Sequence, residues 1–312
     1  MPDRVIAIVG PTAAGKSELA IGVAQALDGE VVNADSMQLY AGMDIGTAKL
    51  SPGQRRGVPH HLLDIWDIRQ TASVAVNQRL ARQVIAGIHA RGRVPVLAGG
   101  SGLYLRAALD NLEFPGTDPV IRHRLETELS AAGPAALHAR LAGLDPAAAS
   151  AILPSNGRRI VRALEVIEVA GRPFTAALPH YESCYPVTQI GLGVERPELD
   201  QRIADRVDRM WQAGFVAEVA TLERAGLREG RTASRALGYA QVLRFLAGEC
   251  AEDEARTQTV LATRRFARRQ QSWFRRDPRV VWLAAATEPG ELVGQALAAC
   301  AAGQAASSQL RA

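Results

Sequence analysis

Over the first hundred residues, short apolar runs rich in β-branched side chains alternate with longer helix-like stretches. Arg4–Val9 is one such run, stopped by Gly10-Pro11, and it predicts a buried strand. A helix is expected from Gly15 to about Leu27, then a second strand over Glu30–Ala34 that ends at Asp35. His61–Ile65 is a candidate third strand; Val74–Arg91 predicts a helix, and Val94–Ala98 a strand leading into Gly99-Gly100. This alternation implies parallel βαβ units in a doubly wound α/β sheet. Ligands of such sheets sit beyond the carboxyl ends of the strands. Gly10–Ser17, Asp35 and Gly99–Ser101 would converge there.

The alternation stops at Pro115. Asp118–Pro186 predicts mostly helix, with Pro119, Pro134, Pro146 and Pro154 near the expected helix starts. The expected organisation is a core of residues 1–114 and 187–312, carrying C-terminal basic helices, with a helical insertion domain over 115–186. A strand returns over Thr188–Val194, followed by helices over Pro197–Ala225, Arg235–Leu246 and Glu252–Phe274 and a last strand over Val280–Leu283. The Ala-rich tail after Pro289 carries no readable motif.

With 47% hydrophobic and 22% charged residues, the 312-residue chain can bury a sizeable core, which argues against global disorder. A net charge of +4 identifies no partner, but its distribution does more. Between Ala255 and Arg279 stand eight arginines (256, 264, 265, 268, 269, 275, 276 and 279) against one acid, Asp277. That stretch carries +7 and the remainder −3, the footprint of a polyanion partner, with Phe266, Trp273 and Phe274 interleaved. Cys184, Cys250 and Cys300 are scattered and form no CxxC pair, so a reducing cytoplasm is expected. No run approaches the roughly 18 apolar residues of a membrane span, and Val5–Val9 is too short for a signal peptide.

Gly10-Pro11-Thr12-Ala13-Ala14-Gly15-Lys16-Ser17 satisfies G-x-x-x-x-G-K-[ST] between a strand and a helix, the context that the phosphate-loop pattern requires. Its glycines let successive backbone N–H groups face phosphate oxygens, and the helix N-terminus adds about half a positive charge. Lys16 supplies a full charge, and the Ser17 hydroxyl is a ligand for Mg²⁺. The loop does not choose its polyphosphate. ATP is the usual nucleotide bound by such loops, so a small-molecule kinase is the default reading, with Asp35 holding metal. His60 and His61 have no partners at metal-ligand spacing and are expected to be structural.

Further motifs separate these readings. Asp35-Ser36-Met37-Gln38-Leu39-Tyr40 is followed at once by Gly42-Met43-Asp44-Ile45-Gly46-Thr47-Ala48-Lys49. Then come Pro59-His60-His61-Leu62-Leu63-Asp64-Ile65, Gly99-Gly100-Ser101-Gly102-Leu103-Tyr104 and Arg159-Ile160-Val161-Arg162-Ala163-Leu164-Glu165-Val166. Gly238-Tyr239 and Arg269-Gln270-Gln271-Ser272-Trp273-Phe274-Arg275 close the series. In this order the chain resembles the bacterial tRNA dimethylallyltransferases (tRNA isopentenylpyrophosphate transferases) over nearly its whole length.

The resemblance implies transfer of a dimethylallyl group from dimethylallyl diphosphate to the exocyclic N6 amine of the adenine 3′-adjacent to the anticodon in tRNA. Diphosphate is released, Mg²⁺ is the cofactor, and the enzyme is expected to be a cytoplasmic monomer away from membranes. The phosphate loop would then hold the leaving diphosphate, with Lys16 and, by resemblance, Arg235 as its cations. Asp35 is the candidate general base, help worth roughly 10²–10⁴-fold. Ser101, where relatives usually carry Thr, would hydrogen-bond near the reacting centre. Asp35, Ser36, Met37, Gln38 and Ser101 would face the tRNA anticodon stem-loop, the Gln38 amide suiting an adenine edge. Arg122, Arg158, Arg159, Ile160, Val161 and Arg162 of the insertion and Arg268, Arg269 and Arg275 of the core would grip the RNA. The chain departs from the family pattern at Arg158, Ala240, Val76, Asn77 and Ser272, none of which removes a reacting group.

Overall fold

The computed structural model describes residues 4–174, 181–285 and 287–309, and two compact units divide them. The first comprises Met1–Asp110 and Ser183–Ala312, the second Asn111–Glu182. The insertion thus begins and ends slightly earlier than the expected residues 115–186, and its residues 175–180 lie outside the described set.

The first unit is built on a six-stranded, all-parallel sheet in the order β3-β2-β4-β1-β5-β6. The strands are β1 (Val5–Val9), β2 (Gly29–Asn33), β3 (His60–His61), β4 (Val94–Ala98), β5 (Val187–Gly193) and β6 (Val280–Ala284). Every residue of β1 is buried, as a strand covered on both faces requires. Alternation along it separates two cores. Ile6 and Ile8 pack with Leu19, Ala20 and Val23 of α1 (Lys16–Ala26) and with Leu292 and Ala296 of α11 (Pro289–Gln309). Val5, Ala7 and Val9 pack with Ile85 and Ile88 of α2 (Val74–Ala90) and Leu105 and Leu109 of α3 (Gly102–Leu109). A third core joins Tyr40 and Met43, from the loop after β2, to α8 (Phe215–Arg224) and α9 (Tyr239–Leu246) through Phe215, Val219, Tyr239 and Val242.

Differences from expectation have local causes. The third strand shrinks to two residues because Leu62 and Asp64 adopt φ of 61° and 57°, outside extended geometry. The helix expected over Pro197–Ala225 is two, α7 (Arg196–Gln212) and α8, divided at Gly214 with φ 92°. Arg235 ends a 3₁₀ turn, and α9 starts only after Gly238 at φ 85°. α10 covers Glu252–Phe274 as expected. The unread tail forms α11, whose Leu292, Ala296 and Cys300 are buried.

The second unit packs α4 (Pro119–Leu144), α5 (Pro146–Ala151) and α6 (Gly157–Ala170) around Leu125, Leu141, Ile160 and Leu164. Pro119 and Pro146 open α4 and α5, where a missing N–H is harmless. Pro134 instead follows a break within α4 at Gly133, φ 79°. Pro154 precedes the turn at which Asn156 caps α6.

Candidate active site

The loops after β1, β2 and β4 meet beyond the carboxyl ends of the sheet. The phosphate loop leaves β1 at Gly10, φ 140°, where a Cβ would stand 2.9 Å from the Leu192 carbonyl oxygen. Only glycine fits there. Ala13 follows with φ 64°, a left-handed conformation that costs a non-glycine residue about 1–2 kcal/mol. No side chain caps α1, whose first-turn N–H groups are thereby left for an incoming anion. Lys16 Nζ donates to the Pro11 carbonyl at 2.6 Å. Burial pushes its ammonium down to about 8; the Asp35 carboxylate opposes that shift and Arg206 adds to it. Ser17 lies exposed on the first turn.

Asp35 follows β2, and Asn33 clamps it there. The Asn33 amide accepts from Asp35 N–H at 2.8 Å and donates to the carbonyls of Asp35 and Leu62, both at 2.9 Å. Asp35 Oδ1 accepts from Met37 N–H at 2.9 Å, while among the described residues Oδ2 accepts no hydrogen bond. Ser101, at the start of α3, ties the neighbouring strand end to this loop. Its Oγ accepts from Ser36 N–H at 3.1 Å and donates to Ser36 Oγ at 3.2 Å. The structure therefore brings Lys16, Asp35, Ser36, Met37 and Ser101 together as expected.

A further cation, not singled out in the sequence, lies near Asp35. Arg206 on α7 is half-buried, and burial lowers its pKa while the Asp35 carboxylate raises it. Its charge also reaches Lys16. Arg235, at the end of its 3₁₀ turn, is exposed. Arg206 was legible in principle. It sits beside the buried stripe of Leu199, Ile203, Val207 and Met210, where an arginine needs an anionic reason to remain.

Arg206 and Gln38 both donate to the Thr47 carbonyl, each at 3.2 Å, so the Gly42–Lys49 segment positions both. Glu218 of α8 holds that segment. Its carboxylate accepts from the N–H groups of Asp44, Ile45 and Gly46 and from the Tyr239 hydroxyl at 2.6 Å. Lys49 Nζ, almost wholly buried, binds Asp44 Oδ1 at 2.6 Å, Asp64 Oδ1 at 2.5 Å and the Tyr40 carbonyl at 2.9 Å. It cross-links three sequence motifs and takes no part in the cradle. His60 and His61 are structural. His60 Nδ1 meets the Val58 carbonyl, and His61 Nε2 lies 2.6 Å from buried Glu30. Glu30 is held at about 2, mainly by its hydrogen bond from Arg91.

The arginines expected to face RNA divide. In the helical unit Arg122 and Arg162 both bind the fully buried carboxylate of Glu165, and Arg162 also donates to the carbonyls of Pro115 and Gly116. Both are thereby engaged in holding the unit together, while each side chain stays partly exposed. Ile160 and Val161, at 0% and 3% exposure, belong to its core, so their side chains cannot touch RNA. Arg158 and Arg159 are exposed. On the basic segment, Arg256 pairs with Asp208, Arg264 donates to the Asp200 carbonyl, and Arg279 pairs with Asp110 and Asp277. Arg265, Arg268, Arg269, Arg275 and Arg276 remain exposed. Arg268, Arg269 and Arg276 line a cavity of about 380 Å³ with Ser272 and Trp273.

A parallel sheet with a phosphate loop after its first strand, and a carboxylate and a hydroxyl on the adjoining strand ends, defines a P-loop α/β enzyme that handles a polyphosphate group. The model of the family "IPP transferase" matches residues 38–277, and the chain belongs to that family. It is 70% identical over 286 residues to the tRNA dimethylallyltransferase of Thermobifida fusca (strain YX), covering 90% of each chain. Against the enzyme of the same name from Streptomyces coelicolor it is 73% identical over 280 residues, again covering 90% of each. Among solved structures, a full-length tRNA isopentenylpyrophosphate transferase from Bacillus halodurans superposes with TM-score 0.75, 39% identity and 99% coverage of both chains. A eukaryotic dimethylallyltransferase acting on tRNA gives TM-score 0.79 at 26% identity, over 91% of this chain and 74% of that one. Among the described residues no helix is long and apolar enough to cross a membrane.

Proposed function

We propose that this chain transfers a dimethylallyl group from dimethylallyl diphosphate to N6 of the adenine 3′-adjacent to the anticodon in tRNA, releasing diphosphate. One arrangement carries the residue-level reading: the phosphate-loop lysine and a second, half-buried cation, Arg206, both lie within electrostatic reach of one carboxylate, Asp35. Lys16, Arg206 and the N–H groups opening α1 hold the diphosphate and neutralise it as it departs. The bond from the allylic carbon to the diphosphate oxygen breaks, and the bond to adenine N6 forms. Asp35 Oδ2 takes the N6 proton, because Oδ1 is engaged by Met37 N–H. Ser101 fixes the loop that carries Asp35.

Mg²⁺ fits as an ion carried in by the donor. The described residues contain no group of three or more His, Cys, Asp or Glu able to hold a metal, so the Ser17 hydroxyl would join ligands supplied by diphosphate oxygens and water. When bound, it would neutralise leaving-group charge. The RNA would lie on the exposed arginines of α10 and its C-terminal end, and on Arg158 and Arg159 of the helical unit. An anticodon loop already has unpaired bases, which lowers the cost of drawing the adenine out of its stack.

The test is product identification. Incubation with donor, Mg²⁺ and tRNA, followed by digestion, should yield N6-dimethylallyladenosine. ATP consumption with a small acceptor, and an untouched prenyl donor, would instead establish the kinase alternative, which the relatives do not favour.

A further inference from the structure

The Thr47 carbonyl oxygen accepts from side chains of two different elements, Arg206 of α7 and Gln38 of the loop after β2, each at 3.2 Å. At the long end of the N–H···O range, both bonds weaken with a small displacement of that oxygen. Its place is set one residue earlier. A Cβ on Gly46 would stand 2.3 Å from the Phe215 ring and 2.5 Å from the Tyr239 ring, so the backbone there is wedged against two buried aromatics. The N–H groups of Asp44, Ile45 and Gly46 all donate to the Glu218 carboxylate, at 3.2, 2.7 and 3.3 Å. Successive amides turned toward one anion form a nest, and here the anion is a side chain of α8. Tyr239 donates to Glu218 Oε1 at 2.6 Å. Burial and that same carboxylate push the tyrosine pKa up, so its hydroxyl stays a donor.

In the proposed reaction Arg206 holds the diphosphate, and Gln38 is the residue expected to face the adenine. One carbonyl therefore serves both substrates. It also fixes which way the Gln38 amide lies. With one Nε2 hydrogen committed to Thr47, the amide offers its second N–H and Oε1, the donor and acceptor that an adenine edge requires. We propose that Glu218 is a positioning residue for both substrates: through the Asp44–Gly46 amides it holds the Thr47 carbonyl where Arg206 and Gln38 are aimed together. This rests on the proposed roles of Arg206 and Gln38. Glu218 acts through the backbone, with both of its carboxylate oxygens already occupied.

Calorimetry of the full chain tests this with two probes, inorganic pyrophosphate with Mg²⁺ and an anticodon stem-loop RNA carrying the adenine. Glu218→Gln keeps the size of the side chain but replaces one acceptor oxygen by an NH₂ group that cannot accept from the amides. It should weaken both probes by about fivefold or more, the scale of a lost hydrogen bond to a charged group. The partners decide whether that loss is positional. In an Arg206→Ala background, Glu218→Gln should cost pyrophosphate less than about twofold, and in a Gln38→Ala background it should cost the RNA equally little. A merely structural glutamate would weaken binding by the same factor in every background, and that result overturns the proposal. So does an unchanged affinity, a loss confined to one probe, or a wild type that lacks affinity for either. Should Glu218→Gln fail to fold, Tyr239→Phe removes one donor from the carboxylate and runs the same cycles, with losses of about threefold. Prenyl transfer is assayed separately: its absence in the wild type would undo the proposed function and leave these binding cycles standing.

Discussion

Lys16 gives the phosphate loop a pH signature. Burial lowers its ammonium from 10.5 to about 8, against the pull of Asp35. A bound diphosphate places negative charge against the ammonium and favours its charged form. Protonated Lys16 therefore binds the donor and neutral Lys16 does not, so affinity is full below pH 8 and falls as pH rises through it. About nine-tenths of Lys16 is charged at pH 7 and about one-tenth at pH 9, a tenfold loss, or roughly 1.4 kcal/mol. The donor's terminal phosphate ionises near pH 6, below this window. Arg206, starting from 12.5, stays charged across it. Folding has the opposite sign: the unfolded chain holds the lysine proton up to about 10.5, so this group's contribution to stability improves as pH rises through 8. Weaker binding at pH 9 is therefore not explained by this lysine's effect on folding. Donor Kd by calorimetry across this range should show the tenfold weakening in the wild type and a flat profile for Lys16→Arg. A flat wild-type profile, or an arginine variant falling in parallel, refutes the assignment.

Asp35→Asn keeps an oxygen for Met37 N–H and so preserves the loop, yet single-turnover transfer should drop about 10²-fold or more with tRNA affinity intact; near-normal rates would remove Asp35 as base. Arg206→Ala should raise the barrier by about 3 kcal/mol, the loss expected for one electrostatic stabiliser, whereas Arg235→Ala should change turnover far less, and the reverse order in steady-state kinetics would restore Arg235. Neutralising Arg268 and Arg269 should flatten the salt dependence of tRNA binding by up to about two contacts. Arg122→Ala should leave that slope unchanged and destabilise the helical unit by about 3 kcal/mol in denaturant, because it strips a partner from buried Glu165.

The sheet was legible because its signals are local. Five apolar residues before Gly10-Pro11 and five before Gly99-Gly100 have one economical reading, and β1 and β4 fall there with at most one residue of disagreement. What failed depended on backbone torsions at single residues. Nothing in Leu62 or Asp64 announces a left-handed φ, yet those two positions end β3. Gly214 and Gly238 were visible as glycines, but whether a glycine sits inside a helix or divides it is decided by what packs beyond it. Phe215 and Tyr239, immediately past those glycines, are both buried and pack edge-on at 5.0 Å. That contact fixes where α8 and α9 begin.

Charge was the least legible feature, for a reason that generalises. A count along the chain treats every arginine alike, whereas a carboxylate far away in sequence can neutralise any of them. Arg256, Arg264 and Arg279 meet Asp208, Asp200 and Asp110, partners remote from α10 that no window around the basic stretch contains. Arg122 meets Glu165 in the same way. Removing these leaves Arg265, Arg268, Arg269, Arg275 and Arg276 as the exposed arginines of that stretch, a smaller patch gathered toward the C-terminal end of α10. That half also carries Gln270, whose amide reaches the phosphate loop and Gly100 from the buried face. Arginines 268 and 269 and the amide at 270 are consecutive in sequence, but at about 100° per residue Arg268 stands nearly opposite Gln270 on the helix and Arg269 a little over a quarter-turn from it, and both arginines are exposed where Gln270 is buried. On the proposed reading, one helix would present cations outward to the RNA while its Gln270 amide is hydrogen-bonded inward to the phosphate loop, so a change in its register would move both together.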